Sequence, residues 1–139
     1  MKRKFVTLPL LIIGLLSLFA LRSHSQELTA EKSNALQKCV KDFLAGNGCE
    51  DVFACTFEGK FQQQPPDAQR VRALFEHSQV VFGKIIVLNN GDAVVLGTTK
   101  VDQGLMDGKP LIFQFAHTFV LQEKQPKQWK VKIWHSSYR

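Results

Sequence analysis

An α+β domain is predicted, with two helices laid on one face of a curved antiparallel meander. Apolar residues recur at helical spacing up to about residue 77, and from Gln79 onward the period changes to two. Helices first and strands last is the order of a domain whose helices are segregated on one side of a sheet. A third observation concerns the strands themselves. Several are apolar on both faces, so the far side of the sheet needs cover as well.

The first segment of the chain stands apart from this domain. Lys2-Arg3-Lys4 precedes a charge-free apolar run over 5–21, and Ser23-His24-Ser25 places small residues where a signal peptidase reads. The run is at the bottom of the membrane-spanning range, so an uncleaved anchor is the alternative. Both readings export the rest of the chain, because the basic residues hold the N-terminus in the cytoplasm. The predicted division is a signal peptide over 1–25 and one domain over 26–139, secreted or periplasmic. The whole chain has 139 residues, 18 Lys+Arg and 12 Asp+Glu, a net charge of +6. Without Lys2, Arg3, Lys4 and Arg22 the remaining 114 residues carry only +2. That balance argues against a nucleic-acid partner, which needs a clustered basic excess. No membrane association is expected beyond the first segment. A composition 45% apolar and 22% charged is that of a folded chain.

Along the domain, Thr29 is a plausible N-cap for a helix whose Leu36, Cys39, Val40, Phe43 and Leu44 share a face. Gly46-Asn47-Gly48 ends it, since these residues accept the left-handed conformation. A short strand through Cys55, Thr56 and Phe57 meets the turn Glu58-Gly59-Lys60. Pro65-Pro66 breaks the chain, and Asp67 caps a second helix with Ala68, Val71, Leu74 and Phe75 on one face. Strands are then expected over 79–88, 93–102, 111–122 and 128–138, linked by polar turns over 89–92, 103–110 and 123–127. Cys39, Cys49 and Cys55 leave two options in an exported chain: one disulfide with one thiol over, or small buried hydrophobes. There is no C-x-x-C pair and no His at zinc spacing, so neither a metal nor another cofactor is expected.

The two-sided strands bear on assembly. In 111–122 one face carries Leu111, Phe113, Phe115, His117, Phe119 and Leu121, and the other carries Ile112, Gln114, Ala116, Thr118 and Val120. Val94 and Leu96 likewise oppose Val95 and Val101. One face covers the helices, and a second copy of the sheet is the simplest cover for the other, so a homodimer is expected.

Three stretches carry a resemblance. Residues 55–62 (CTFEGKFQ) with the following helix are similar to a "T-W-E-G-x-x-F-x-G" strand and helix, Phe57 standing for Trp. Phe115-Ala116-His117-Thr118-Phe119-Val120-Leu121 is similar to "F-x-Q-x-F-x-L", with His117 where Gln is usual. The last strand, 129–139, echoes both "F-R" and "W-K-I-x-H-x-H-S-S" endings. In this order they resemble the nuclear transport factor 2-like superfamily, the cystatin-like cone shared with ketosteroid isomerase and the kinase II association domain. The resemblance implies a strongly bent sheet around the long helix, a conical cavity, and dimers formed through the sheet's outer face. It implies nothing specific about function.

Candidate chemistry falls on a few groups of residues. With the Phe-rich face inward, His117 and His135 both fall on inward-looking positions of neighbouring strands as a candidate acid/base pair. Phe57, Phe113, Phe115, Phe119 and Trp129 would line a cavity for a small apolar ligand. Glu58, Asp102 and Asp107 would form an acidic mouth for a protein partner, with Trp134 on the partner face. Lys124, Lys127, Lys130 and Lys132 cluster at the last hairpin, Lys130 and Lys132 sharing a face with Trp134 and Tyr138. A lysine-guarded sheet edge accounts for them better than an anionic-polymer surface. The favoured reading is an exported, dimeric binding or interaction module holding a small apolar ligand. One alternative is a small cavity enzyme of the isomerase or dehydratase type using His117 and His135. The absence of a carboxylate partner, and a single Tyr, Tyr138, near the C-terminus, count against it. A second alternative is a nucleocytoplasmic transport relative, which an exported chain would contradict.

Overall fold

A computed structural model describes residues 28–55 and 65–139. Helix α1 spans Ala30–Leu44. It starts where expected: the Thr29 side chain accepts from the Lys32 N–H at 3.2 Å. Its end is a glycine requirement. Gly46 has φ +86°, and the Asn47 N–H reaches back to the Asp42 carbonyl at 3.0 Å. A Cβ on Gly46 would stand 2.7 Å from the Ala68 carbonyl oxygen, so this glycine is also where the two helices meet. Helix α2, Ala68–Phe75, is capped by Asp67, which accepts from the Gln69 and Arg70 N–H groups.

Among the described residues, five strands follow the order β1-β5-β4-β3-β2 in one sheet. They are β1 Phe53–Cys55, β2 Gln79–Val87, β3 Ala93–Met106, β4 Lys109–Gln125 and β5 Gln128–Tyr138. The antiparallel meander β2 to β5 is the one anticipated. The parallel pairing of β1 with β5 was not anticipated. The link between β3 and β4 is also shorter than the expected turn over 103–110. The ladder runs on to Met106 and Lys109, and only Asp107-Gly108 turns. Both have positive φ, +53° and +74°, the requirement of a two-residue hairpin turn.

The Phe-rich face of β4 points inward, as predicted. Phe115, His117, Phe119 and Leu121 are buried beneath Leu36, Val40, Phe43 and Leu44 of α1 and Val71 and Phe75 of α2. Phe43 meets Phe119 and Trp134 edge-on, with centroids 6.0 and 5.3 Å apart, and Phe75 meets Phe115 at 5.4 Å. Each such pair adds about 1 kcal/mol beyond its buried area. Bulges interrupt the ladders between Phe82 and Ile85, between Asp102 and Leu105, and at Lys132. Each bends its strand and raises the local twist, which curves the sheet around α1. Among the described residues no helix is long and apolar enough to cross a membrane. The expected signal over 1–25 and the expected turn at Glu58-Gly59-Lys60 lie outside those residues.

Candidate functional site

His117 is the one imidazole turned into the cone among the described residues. It sits mid-strand on β4, 3% exposed, among the rings of Phe75, Phe115, Phe119 and Trp134. Both ring nitrogens are used. The Trp134 indole N–H donates to Nδ1 at 3.2 Å, and Nε2 lies 2.8 Å from the Thr99 hydroxyl. An indole nitrogen can only donate, so Nδ1 carries no proton. The neutral ring therefore holds its hydrogen on Nε2 and donates it to Thr99. Burial, with a smaller contribution from His135, holds the His117 imidazole down at about 4. A ring neutral at physiological pH with both nitrogens engaged braces the core and has no free position for proton transfer.

His135 does not join it. Pairing positions on adjacent strands point to the same face, and His135 pairs with Thr118 while His117 pairs with Ser136. Thr118 lies on the outer face and Ser136 on the inner. The cause is the bulge: Leu121 pairs with Val131 but Val120 pairs with Ile133, so Lys132 is an extra residue. Regular alternation puts His135 inside and Trp134 outside. The extra residue reverses both. Trp134 is 8% exposed in the core and is not a partner-binding residue. Lys130, paired with Gln122 on the outer face, does not share its face for the same reason. The signal that would have found this, a bulge in β5, is not written in side-chain period.

Ser136 is the neighbour that sequence reasoning missed. Its Oγ is buried and has no hydrogen-bond partner among the described residues, directly beside a His117 whose nitrogens are both committed. Thr99 was missed too, since its link to His117 exists only through the Gly97↔His117 and Thr99↔Phe115 register.

The residues expected to line a cavity are spread along the cone. Phe113 and Phe115 contact Tyr138 at one end, at 5.6 and 6.0 Å. Phe119 packs on Phe43 in the middle. Trp129 lies at the other end, under the Lys32 ammonium 5.1 Å from its ring centroid. There it lines an open groove of about 420 Å³ between α1 and β5 with Cys39, Lys38, Asp42, Lys127 and Lys130. Phe57 and Glu58 lie outside the described residues. Asp102 and Asp107 are exposed on the β3–β4 hairpin, and Asp102 accepts from the Gly104 N–H at 2.8 Å.

The lysines of the last hairpin are drawn to carboxylates. Lys130 pairs with Asp51 at 2.6 Å and Lys127 with Glu31 at 2.8 Å. Lys130, helped by Lys132 and Lys124, holds the Asp51 carboxyl below the usual carboxylate range. Cys39 and Cys49 are free thiols. Burial pushes the Cys39 thiol up to about 11, and its Sγ donates to the Trp129 carbonyl at 3.2 Å. A thiol of that kind is unreactive at neutral pH. Among the described residues no group of three or more His, Cys, Asp or Glu could hold a metal ion.

The outer face has a different character. Its central rows carry Ile86, Val94, Val120, Ile133 and Phe53, then Leu96, Thr118 and His135, then Val81, Thr98, Ala116 and Ser137. Charge returns at the ends, with Lys100, Asp102 and Arg139 on one side and Lys130 on the other.

No family model matches the sequence, and no curated protein matches it. Solved structures do. The CaMKII hub of S. rosetta is 13% identical, covers 78% of this chain and 95% of its own, and superposes with a TM-score of 0.55. A candidate ketosteroid isomerase from Shewanella frigidimarina is 15% identical, with 79% and 97% covered and a TM-score of 0.53. An uncharacterised protein with a cystatin-like fold from Caulobacter vibrioides is 14% identical, with 77% and 89% covered and a TM-score of 0.51.

Proposed function

We propose, on the premise that the chain has the nuclear transport factor 2-like cone fold of these neighbours, that it is an exported, non-catalytic interaction module that works as a homodimer. The observation that carries this reading is the outer sheet face, uncharged at its central paired positions, with Lys84 and Lys132 only at the bulges and more charge at its rim. That is the anatomy of a protein interface. The large exposed side chains there, Phe53 (61%), Val81 (56%), Ile112 (53%), Ile133 (39%) and Ile86 (38%), are all on this face. Together they leave on the order of 400 Å² of apolar surface open, the size of the largest apolar patch on a typical monomer, which is often functional. A second copy is the occupant this favours. A sheet face with a central apolar band matches itself in an isologous pair, where each residue meets the same patch on the partner. The hub domain among the neighbours bears on this reading by its name alone.

Export rests on Lys2-Arg3-Lys4 and the apolar run over 5–21. A small apolar ligand in the cone rests on the aromatic lining and on the unpartnered Ser136 hydroxyl, which would suit a ligand's polar end. Enzyme chemistry loses its acid/base pair, since His117 and His135 lie on opposite faces.

Sedimentation of the chain, purified in the form the producing cell delivers, tests the proposal. A dimer at micromolar concentration, lost on Val120→Glu with the far-UV dichroism unchanged, supports it. A monomer even at about 100 μM removes it.

A further inference from the structure

His135 lies on the middle row of the outer face, between Thr118 on β4 and β1 on its other side. It is half-buried, and among the described residues its ring has no hydrogen-bond partner. We propose that protonation of His135 breaks the pairing of two copies of this chain, making self-association sensitive to mild acid. This rests on the dimer proposed above.

Placement is what makes His135 responsive. Among the described residues, it is the one imidazole or charged side chain at a paired position of the three central rows, with Lys84 and Lys132 standing at the bulges of β2 and β5. The paired position on β4 is Thr118, and on β1 it is Cys55. Ile133 and Ser137 share its face on β5, and Lys132 stands at the bulge. The other imidazole near it is His117, through the sheet, and both helices pack on the far face. Asp51, two residues before Phe53, is held by Lys130 at 2.6 Å, and Asp102 is out at the rim. Among the described residues no carboxylate is therefore placed to pair with an imidazolium here. Inside a closed interface a neutral ring is a tolerable polar group, whereas a charged one is an unpaired buried ion. In an isologous dimer each copy brings one such ring, so two protonations oppose one association.

The expected size follows from linkage, with one proton taken up by each separated copy. If both rings must be neutral in the dimer, the dissociation constant rises about 100-fold between about pH 7.5 and 5.5.

Sedimentation equilibrium of the whole chain across that range, with far-UV dichroism at each pH, makes the test. It is run in wild type, in His135→Gln, and in His117→Gln so that acid loss of the fold is not read as loss of the dimer. The proposal expects a rise of roughly 30-fold or more in wild type and in His117→Gln, and less than about threefold in His135→Gln. A dimer whose constant is the same at both pH values overturns the inference and leaves the dimer standing. A chain that is monomeric at both overturns the two together.

Discussion

Acid should loosen this fold well before its carboxylates protonate, and the reason is His117. In the folded chain its imidazole is held down at about 4; in the unfolded chain it titrates near 6.5. Above about pH 6.5 neither state binds the proton, and the histidine takes nothing from stability. As the pH falls further the unfolded chain gains a proton that the folded chain refuses. Stability then drops until about pH 4, where both states are protonated and the loss levels off. The lowered folded value thus puts the whole effect between about 6.5 and 4. At about pH 5.0 linkage makes it about 2 kcal/mol, and about 3 kcal/mol when complete. Against a typical 5–15 kcal/mol for a domain, that is a large share. It corresponds to roughly 8 °C in melting temperature at about pH 5.0 for a chain of this size. Urea unfolding at about pH 7.5 and 5.0, followed by tryptophan fluorescence, measures it. His117→Gln is the control: its amide can accept from Trp134 and donate to Thr99 with no site to protonate. Wild type should lose about 2 kcal/mol between the two pH values and His117→Gln less than about 0.5 kcal/mol. Equal losses in the two proteins, or none in wild type, would refute the placement of a neutral imidazole among these rings.

Other substitutions read single features. Ser136→Ala should leave stability unchanged or raise it by about 1 kcal/mol in urea unfolding, because the buried hydroxyl has no partner among the described residues to lose; a clear loss would mean that the hydroxyl is satisfied. Gly46→Ala should cost more than about 2 kcal/mol by the same assay, combining a left-handed φ with a contact to the Ala68 carbonyl that must move. Thr29→Ala, which removes the cap on Lys32, should cost about 1 kcal/mol.

What could be read from the sequence was what side-chain period and turn chemistry record. Thr29, Asp67 and Gly46 announced helix ends, and the phenylalanines of β4 announced the inner face. The parallel β1 strand was not legible, since three residues carry no period. The hairpin tip was misjudged because Gln103 to Pro110 is polar enough for a loop, while Asp107-Gly108 alone suffices to turn. The site was half legible. His117 stood out by its place in an aromatic row, but Trp134 and Thr99, which settle its protonation, reach it only through strand register. His135 went to the wrong face because counting by twos cannot see an extra residue.

That extra residue can be tested directly, and two readings of β5 give opposite results. If the strand were regular, deleting Lys132 would shift every later residue to the other face. A strand slip of one turns the whole set of core side chains to the solvent. With the bulge, Lys132 is the unpaired residue, Ile133 already pairs with Val120, and Trp134 already points inward. Deletion then closes the ladder and leaves Trp134, Ser136 and Tyr138 where they are. The cost is the lost local bend, about 1–2 kcal/mol by comparison with other strain of this kind. Misplacing Trp134 alone would cost about 3–5 kcal/mol, and its indole would no longer cap His117. The deletion variant should therefore fold, keep a buried tryptophan by fluorescence, and retain the acid window of His117. An unfolded deletion variant would return β5 to regular alternation and bring His135 back inside the cone, and with it the enzyme reading.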